Sequence, residues 1–189
     1  MTFHIARVDK LYEGRSKLMV VDVRLPDGQI LRRAIEDHGP AVAVLPFDPA
    51  RRTAILVRQF RAPVFLAAGT DATVEAIAGI VEGNEEPIAC ARREAFEEAG
   101  LRLATLEHVA TAWTMPGVST ERMYFYVSPY AQADRAASGG GLAEELERIT
   151  VVEMPLAELA GLADGGRLDD MKALMLVQTL RLRRPDLFA

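Results

Sequence analysis

Glu94, Glu97 and Glu98 stand at i, i+3 and i+4 in a stretch of helical period, which puts three carboxylates on one face of a helix. Like charges so spaced repel, and the repulsion is relieved by solvent, by ion pairs or by a bound cation. Mg²⁺, a hard ion that prefers oxygen ligands, meets the last need. The same residues would also serve as a solvated acidic face, with Arg92 and Arg93 as counter-charges. The surroundings weigh against that bland reading. Gly79-Ile80-Val81-Glu82-Gly83-Asn84-Glu85 lies upstream, and after seven further residues comes Arg93-Glu94-Ala95-Phe96-Glu97-Glu98-Ala99-Gly100-Leu101. Fixed Gly, Glu and Arg residues at these spacings coincide by chance on the order of once in 10⁸ windows.

The elements that must position these carboxylates are legible in outline. From Glu86 to Ala99 the period is helical, with Ile88, Ala95, Phe96 and Ala99 on one side and Gly100 closing the helix as its C′ residue. Strands are expected at Lys17 to Arg24, Gln29 to Ile35, Ala41 to Phe47 and Thr53 to Phe60, the first two joined by a Leu25-Pro26-Asp27-Gly28 turn. That pair is an N-terminal β-hairpin subdomain over residues 1–40, with the boundary at Asp37-His38-Gly39-Pro40 and the main domain over 41–189. Further strands are expected at Leu103 to Trp113, Arg122 to Ser128 and Ile149 to Met154. Between the last two, Gln132 to Leu142, with Gly139-Gly140-Gly141, reads as a mobile loop. Pro155 to Leu162 is a short helix, and Asp169 or Asp170 caps a last helix reaching about Arg184. Strands interleaved with a few helices give an α/β, or α+β, sandwich in which helices cover a mixed sheet.

Composition bounds the partners. The chain has 189 residues, is 50% hydrophobic and carries 22 Lys+Arg against 27 Asp+Glu, a formal charge of −5. A duplex-binding domain carries a basic excess, so no nucleic-acid partner is expected. The longest apolar run, around Ala41 to Phe47, is far below spanning length, and no membrane partner or signal peptide is expected. Cys90 is the single cysteine, which excludes an intramolecular disulfide and suits the cytoplasm.

The run from Gly79 to Leu101 resembles the Nudix box, G-x5-E-x7-R-E-U-x-E-E-x-G-U, at every fixed Gly, Glu and Arg; Ala95 is smaller than the usual residue at the first U. Over nearly its whole length the chain is similar to the nucleoside-diphosphate-sugar branch of Nudix hydrolases, which contains GDP-mannose and ADP-ribose pyrophosphatases. Val57-Arg58-Gln59-Phe60-Arg61, Met115-Pro116-Gly117 with Glu121, the glycine run with acidic residues after it, and Lys172 support that branch.

The resemblance implies a Nudix-type α/β/α sandwich with a mixed sheet, and a homodimer built through the N-terminal hairpin. It implies Mg²⁺, with Mn²⁺ as a substitute, held by Glu94, Glu98 and the Ala78 carbonyl; Glu97 is a ligand or an outer partner, and Arg93 orients the carboxylates. On the later loop Glu145 is the general base and Glu147 a metal ligand, with Glu144 the alternative if the register slips by one. Arg61 and Lys172 would meet substrate phosphate, the alternative for Lys172 being an exposed helix lysine, and Glu121 would accept from a base or sugar hydroxyl. The implied reaction is hydrolysis of a nucleoside diphosphate sugar to nucleoside monophosphate and sugar 1-phosphate. Arg135 to Gly141 resembles the GDP-mannose group, with ADP-ribose the alternative substrate. A nucleotide sensor without turnover and an RNA-directed Nudix activity are the rival readings; the intact box argues against the first and the acidic balance against the second. His4, His38 and His108 match no expected catalytic position, Trp113 and Phe60 are expected in the core, and Cys90 is expected as a packing residue.

Overall fold

The Leu25-Pro26-Asp27-Gly28 turn closes as its chemistry dictates. Gly28 donates its N–H to the Leu25 carbonyl (2.9 Å), and Asp27 Oδ1 accepts the Gln29 N–H (3.0 Å). The turn joins β2 (Lys17–Arg24) to β3 (Ile30–Asp37) in antiparallel register, Arg24 opposite Ile30 and Lys17 opposite Asp37. A strand absent from the sequence reading, β1 (His4–Glu13), pairs with the other edge of β2, so the hairpin supplies two strands of a three-stranded sheet. Irregularities between Ile5 and Arg7 and between Lys10 and Tyr12 break its alternation and hide it from a period-two search.

In this computed structural model, which describes residues 2–142 and 148–189, the chain divides into two compact units. The first comprises Met1–Ala41 and Thr111–Met123. Within it a strap is fastened to the end of β3: the Glu36 N–H meets the Val118 carbonyl (2.8 Å) and the Thr120 N–H meets the Glu36 carbonyl (3.0 Å). Ser119 Oγ donates to Glu36 Oε2 (2.9 Å) and Thr120 Oγ1 to Asp37 Oδ1 (2.6 Å).

The second unit, Val42–Ala110 and Tyr124–Ala189, is built on a sheet of β4 (Ala41–Asp48), β5 (Thr53–Gln59), β6 (Thr73–Glu75), β7 (Ile77–Ile80), β8 (Glu107–Trp113), β9 (Arg122–Pro129) and β10 (Thr150–Pro155). Its order is β10-β5-β4-β9-β8, with β6 on β5 and β7 on β4. Every residue of β4 is buried, as expected for a strand covered on both faces. Val42 and Val44 share a cluster with Ile55, Val57 and the helix α2 (Pro87–Ala99), so Ala43 and Leu45 must point the other way, where they are buried as completely. A second helical layer, α3 (Leu156–Asp164) packed on β10 and on α4 (Met171–Arg183), buries Leu156, Leu159, Leu176 and Leu180. This is the α/β/α arrangement that the resemblance implies.

Three sequence expectations need correction. The buried stripe of α2 is Cys90, Ala91, Ala95 and Ala99 with Glu98, whereas Ile88 and Phe96 are exposed; small residues let the helix lie close to the sheet. Phe96 instead lies under the Arg102 guanidinium, 5.6 Å from the ring centroid. Phe60 and Trp113, expected in the core, are 55% and 56% exposed. Phe60 follows the last residue of β5 and meets Phe65 of the short helix α1 (Ala62–Ala68), and Trp113 carries the Arg122 guanidinium at 5.9 Å.

The glycine-rich stretch is tethered. Gly140 and Gly141 donate their N–H groups to the Glu98 and Glu97 carbonyls (2.9 and 3.1 Å), so they satisfy acceptors left open at the C-terminal end of α2, and Ala136 donates to the Gly100 carbonyl (2.8 Å). Gly100 sits at φ +68°, and a Cβ there would lie 2.0 Å from the Ala137 carbonyl oxygen. The left-handed backbone alone costs a non-glycine residue about 1–2 kcal/mol. In a chain of this size Gly100→Ala should therefore lower the melting temperature by roughly 2–8 °C or more. Gly117→Ala, which meets nothing within 4 Å, should leave it nearly unchanged in the same thermal denaturation experiment.

Candidate active site

Pro87 in its first turn and left-handed Gly100 at its end set the limits of α2, and its buried alanines set how closely it lies to β7. Its polar face then meets β7 itself. Glu98 is buried, and its Oε2 accepts the Ala78 N–H at 3.3 Å. Glu94 reaches so close to Gly79 that a Cβ there would lie 1.8 Å from Glu94 Oε1, so the glycine is a steric requirement of the carboxylate's position.

One guanidinium organises the rest. Arg93 Nε and Nη2 hold the two oxygens of Glu85 (3.2 and 3.0 Å), and Nη1 donates to Glu94 Oε1 (2.7 Å) and Glu97 Oε2 (2.9 Å). Nη2 also donates to the Ile80 carbonyl (3.2 Å). Every donor of the fork is thus occupied, three carboxylates are fixed to one cation, and pairing with Glu85, ahead of the charge of Glu94, raises the Arg93 pKa. Glu85 was quoted in the sequence motif without a role; its role is to complete this fork.

The described residues contain no group of three acidic, histidine or cysteine side chains already converged on a cation position. The reason is visible: Arg93 bridges Glu94 and Glu97, and Glu98 turns to a backbone N–H. The donor set nevertheless fits a hard divalent cation. It offers carboxylate oxygens on adjacent turns of one helix, beside a glycine whose missing Cβ leaves room for them.

A second cluster joins Arg61 to Lys172. Arg61 Nε and Nη2 form a bidentate pair with buried Glu75 at 2.9 Å each, and Lys172 Nζ reaches Glu75 Oε2 (3.2 Å) and Asp170 Oδ1 (2.6 Å). Thr73 Oγ1 also donates to Glu75 Oε1. Burial alone would raise the Glu75 pKa, but the Arg61 hydrogen bonds, the Lys172 charge and Thr73 together bring it down to about 2. Burial lowers the Arg61 pKa, and Glu75 outweighs it with help from the charges of Glu98 and Asp170, so the two clusters feel one another. Asp170 is the helix cap that the sequence left open between two aspartates, accepting from the Lys172 and Ala173 N–H groups and also from Ala76 N–H. Lys172 is not an exposed helix lysine: 19% of its side chain is exposed and both its partners are carboxylates. Sequence reading missed Glu75. Its signal was a carboxylate inside a short apolar stretch, Val74-Glu75-Ala76-Ile77, which must find a cation if it is buried.

Glu121 lies in the first unit, where Thr114 Oγ1 donates to it and His38 Nε2 lies 3.2 Å from its Oε2. Glu145, Glu147 and the alternative Glu144 lie outside the described residues. On either side of them, Gly141 is held by the Glu97 carbonyl and Ile149 by the Gly140 carbonyl (3.2 Å). Cys90 is buried with its Sγ 3.4 Å from the Ile80 carbonyl, and burial pushes its thiol up to about 12, which suits a packing residue and not a nucleophile.

The NUDIX domain family matches residues 37–174. The chain is 36% identical over 165 residues to the GDP-mannose pyrophosphatase of Cronobacter sakazakii, covering 86% of this chain and 85% of that protein. It is 35% identical over 167 residues to the GDP-mannose pyrophosphatase of Pectobacterium atrosepticum, covering 87% and 85%. A crystal structure of an ADP compounds hydrolase superposes with a TM-score of 0.74 at 19% identity, over 98% of this chain and 96% of that one, a likeness of fold. The box, the α/β/α layers and these relatives agree, and the chain belongs to the Nudix family of hydrolases.

Proposed function

We propose that the protein hydrolyses the diphosphate linkage of a nucleoside diphosphate sugar, GDP-mannose first among them, to nucleoside monophosphate and sugar 1-phosphate. The observation that carries this reading is the pairing of an acidic helix face, on which Arg93 orders Glu94 and Glu97 and the Ala78 N–H meets Glu98, with the Arg61 and Lys172 cations. GDP-mannose is favoured because the relatives that match most of the chain bear that activity in their names.

Glu94, Glu98 and the Ala78 carbonyl would hold Mg²⁺, or Mn²⁺ in its place, with Glu147 as a further ligand. When bound, such an ion neutralises diphosphate charge and makes a water molecule more acidic. Arg93 fixes the carboxylate oxygens, Arg61 and Lys172 hold phosphate oxygens, and Glu121 accepts from a base or sugar hydroxyl. Glu145 takes the proton from the attacking water, which adds to phosphorus as the bridging oxygen leaves with the other phosphate. The protein acts as a homodimer through the first unit, a reading supported by Ile5, Val8, Leu11 and Tyr12 on β1, all at least half exposed and apolar. A single buried cysteine supports residence in the cytoplasm.

Phosphatase-coupled release of phosphate, measured across GDP-mannose, ADP-ribose, other sugar nucleotides and dinucleoside polyphosphates, should rank GDP-mannose first. A preference of about tenfold or more for ADP-ribose would overturn that choice. Glu98→Gln should cut turnover by about 10²-fold or more with the fold retained, since loss of an outer partner of a metal ligand alone costs about 10–100-fold; near-normal activity would refute the ligand assignment. Light scattering should give twice the 20.7 kDa chain mass, and Leu11→Asp should halve the measured mass.

A further inference from the structure

Glu75 does more than neutralise a buried arginine. Its carboxylate is 5% exposed, while the Arg61 side chain paired with it is 41% exposed. Arg61 spends Nε and one N–H of Nη2 on Glu75, and among the described residues Nη1 has no hydrogen-bond partner. Lys172 spends two of its three N–H bonds, on Glu75 and Asp170. One buried carboxylate thus takes the inner edge of both cations and leaves an outer edge of each available. Thr73 Oγ1, two residues earlier on β6, fixes the carboxylate, and Asp170 braces Lys172 while it caps α4 and holds the Ala76 N–H.

We propose that Glu75 is the positioning residue of the phosphate subsite: it locks Arg61 and Lys172 into one preset pair of donors for the substrate diphosphate. This rests on the reading above that Arg61 and Lys172 meet phosphate. The pair arrives at the anion already ordered, so binding forfeits little side-chain freedom, which for arginine and lysine is otherwise large.

Two physical accounts of Glu75 predict opposite signs. If it only neutralises, its removal uncovers positive charge and an anion binds more tightly. If it positions, its removal frees both cations and the anion binds more weakly. The decisive measurement is calorimetric titration, with Mg²⁺ present, of a GDP-mannose analogue carrying a methylene group between its phosphorus atoms. That probe cannot be turned over, so the titration is independent of hydrolysis.

Glu75→Gln should raise the Kd by about tenfold or more. In hydrolysis of GDP-mannose, KM should rise in parallel while kcat changes less than about threefold, because an interaction shared by ground and transition states has been lost. In an Arg61→Ala background the same substitution should raise the Kd by less than about threefold, since the residue through which it chiefly acts is gone. Thr73→Val, which keeps both charges and frees the carboxylate, should weaken binding by about threefold and decides the question if Glu75→Gln does not fold by circular dichroism. A Kd that is unchanged or lowered by the folded variant, or a full tenfold loss in the Arg61→Ala background, would overturn the proposal. An analogue that binds wild type without any turnover of GDP-mannose would instead overturn the hydrolase reading and leave the Glu75 proposal to stand on its own numbers.

Discussion

Everything in the site depends on one guanidinium holding three carboxylates that would otherwise repel. Arg93 is joined to Glu85, Glu94 and Glu97, and no donor of its fork is left over. Ion pairs this near to solvent contribute about 1 kcal/mol or less each. Burying one Leu or Ile side chain contributes about 1.5–3 kcal/mol. The fold is therefore held by β4, β5 and the alanine stripe of α2, and the work of Arg93 is geometric. It keeps acidic side chains ordered at a place where relaxation would spread them apart.

The same logic recurs at Glu75 with the signs exchanged. There one carboxylate orders two cations, and the ordering elements are far apart in sequence: Arg61 just after β5, Glu75 at the end of β6 and Lys172 in the first turn of α4. The backbone supplies the rest. Gly79 admits Glu94, left-handed Gly100 turns the chain under residue 137, and the N–H groups of Gly140 and Gly141 close the C-terminal end of α2. The glycines read from sequence as mobile are used here as donors that tie a loop to the acidic helix.

What the sequence revealed, and what it hid, follows from the range of the interactions. The α2 carboxylates, the Gly100 end and the Pro-Asp-Gly turn are local, and each was legible because a few neighbouring residues determine it. The α/β/α layering was legible from strand and helix periods together with the resemblance. Glu75 was not, because a lone glutamate in an apolar stretch declares its partners only when strands and α4 meet. Strand β1 was hidden by its irregular pairing, and Phe60 and Trp113 were misjudged because aromatic character reports affinity for a surface without saying which. Phe60 found an exposed helix and Trp113 an arginine.

The central claim is that the acidic face of α2 exists to hold a divalent cation against a diphosphate. Anomalous diffraction from crystals grown with Mn²⁺ and a nucleotide sugar whose phosphorus atoms are bridged by carbon tests it most directly. The account predicts Mn²⁺ within bonding distance of Glu94, Glu98 and the Ala78 carbonyl, touching the bridged phosphates. Nucleotide bound elsewhere, with Arg93 still clasping Glu94 and Glu97 and no anomalous signal beside them, would contradict it.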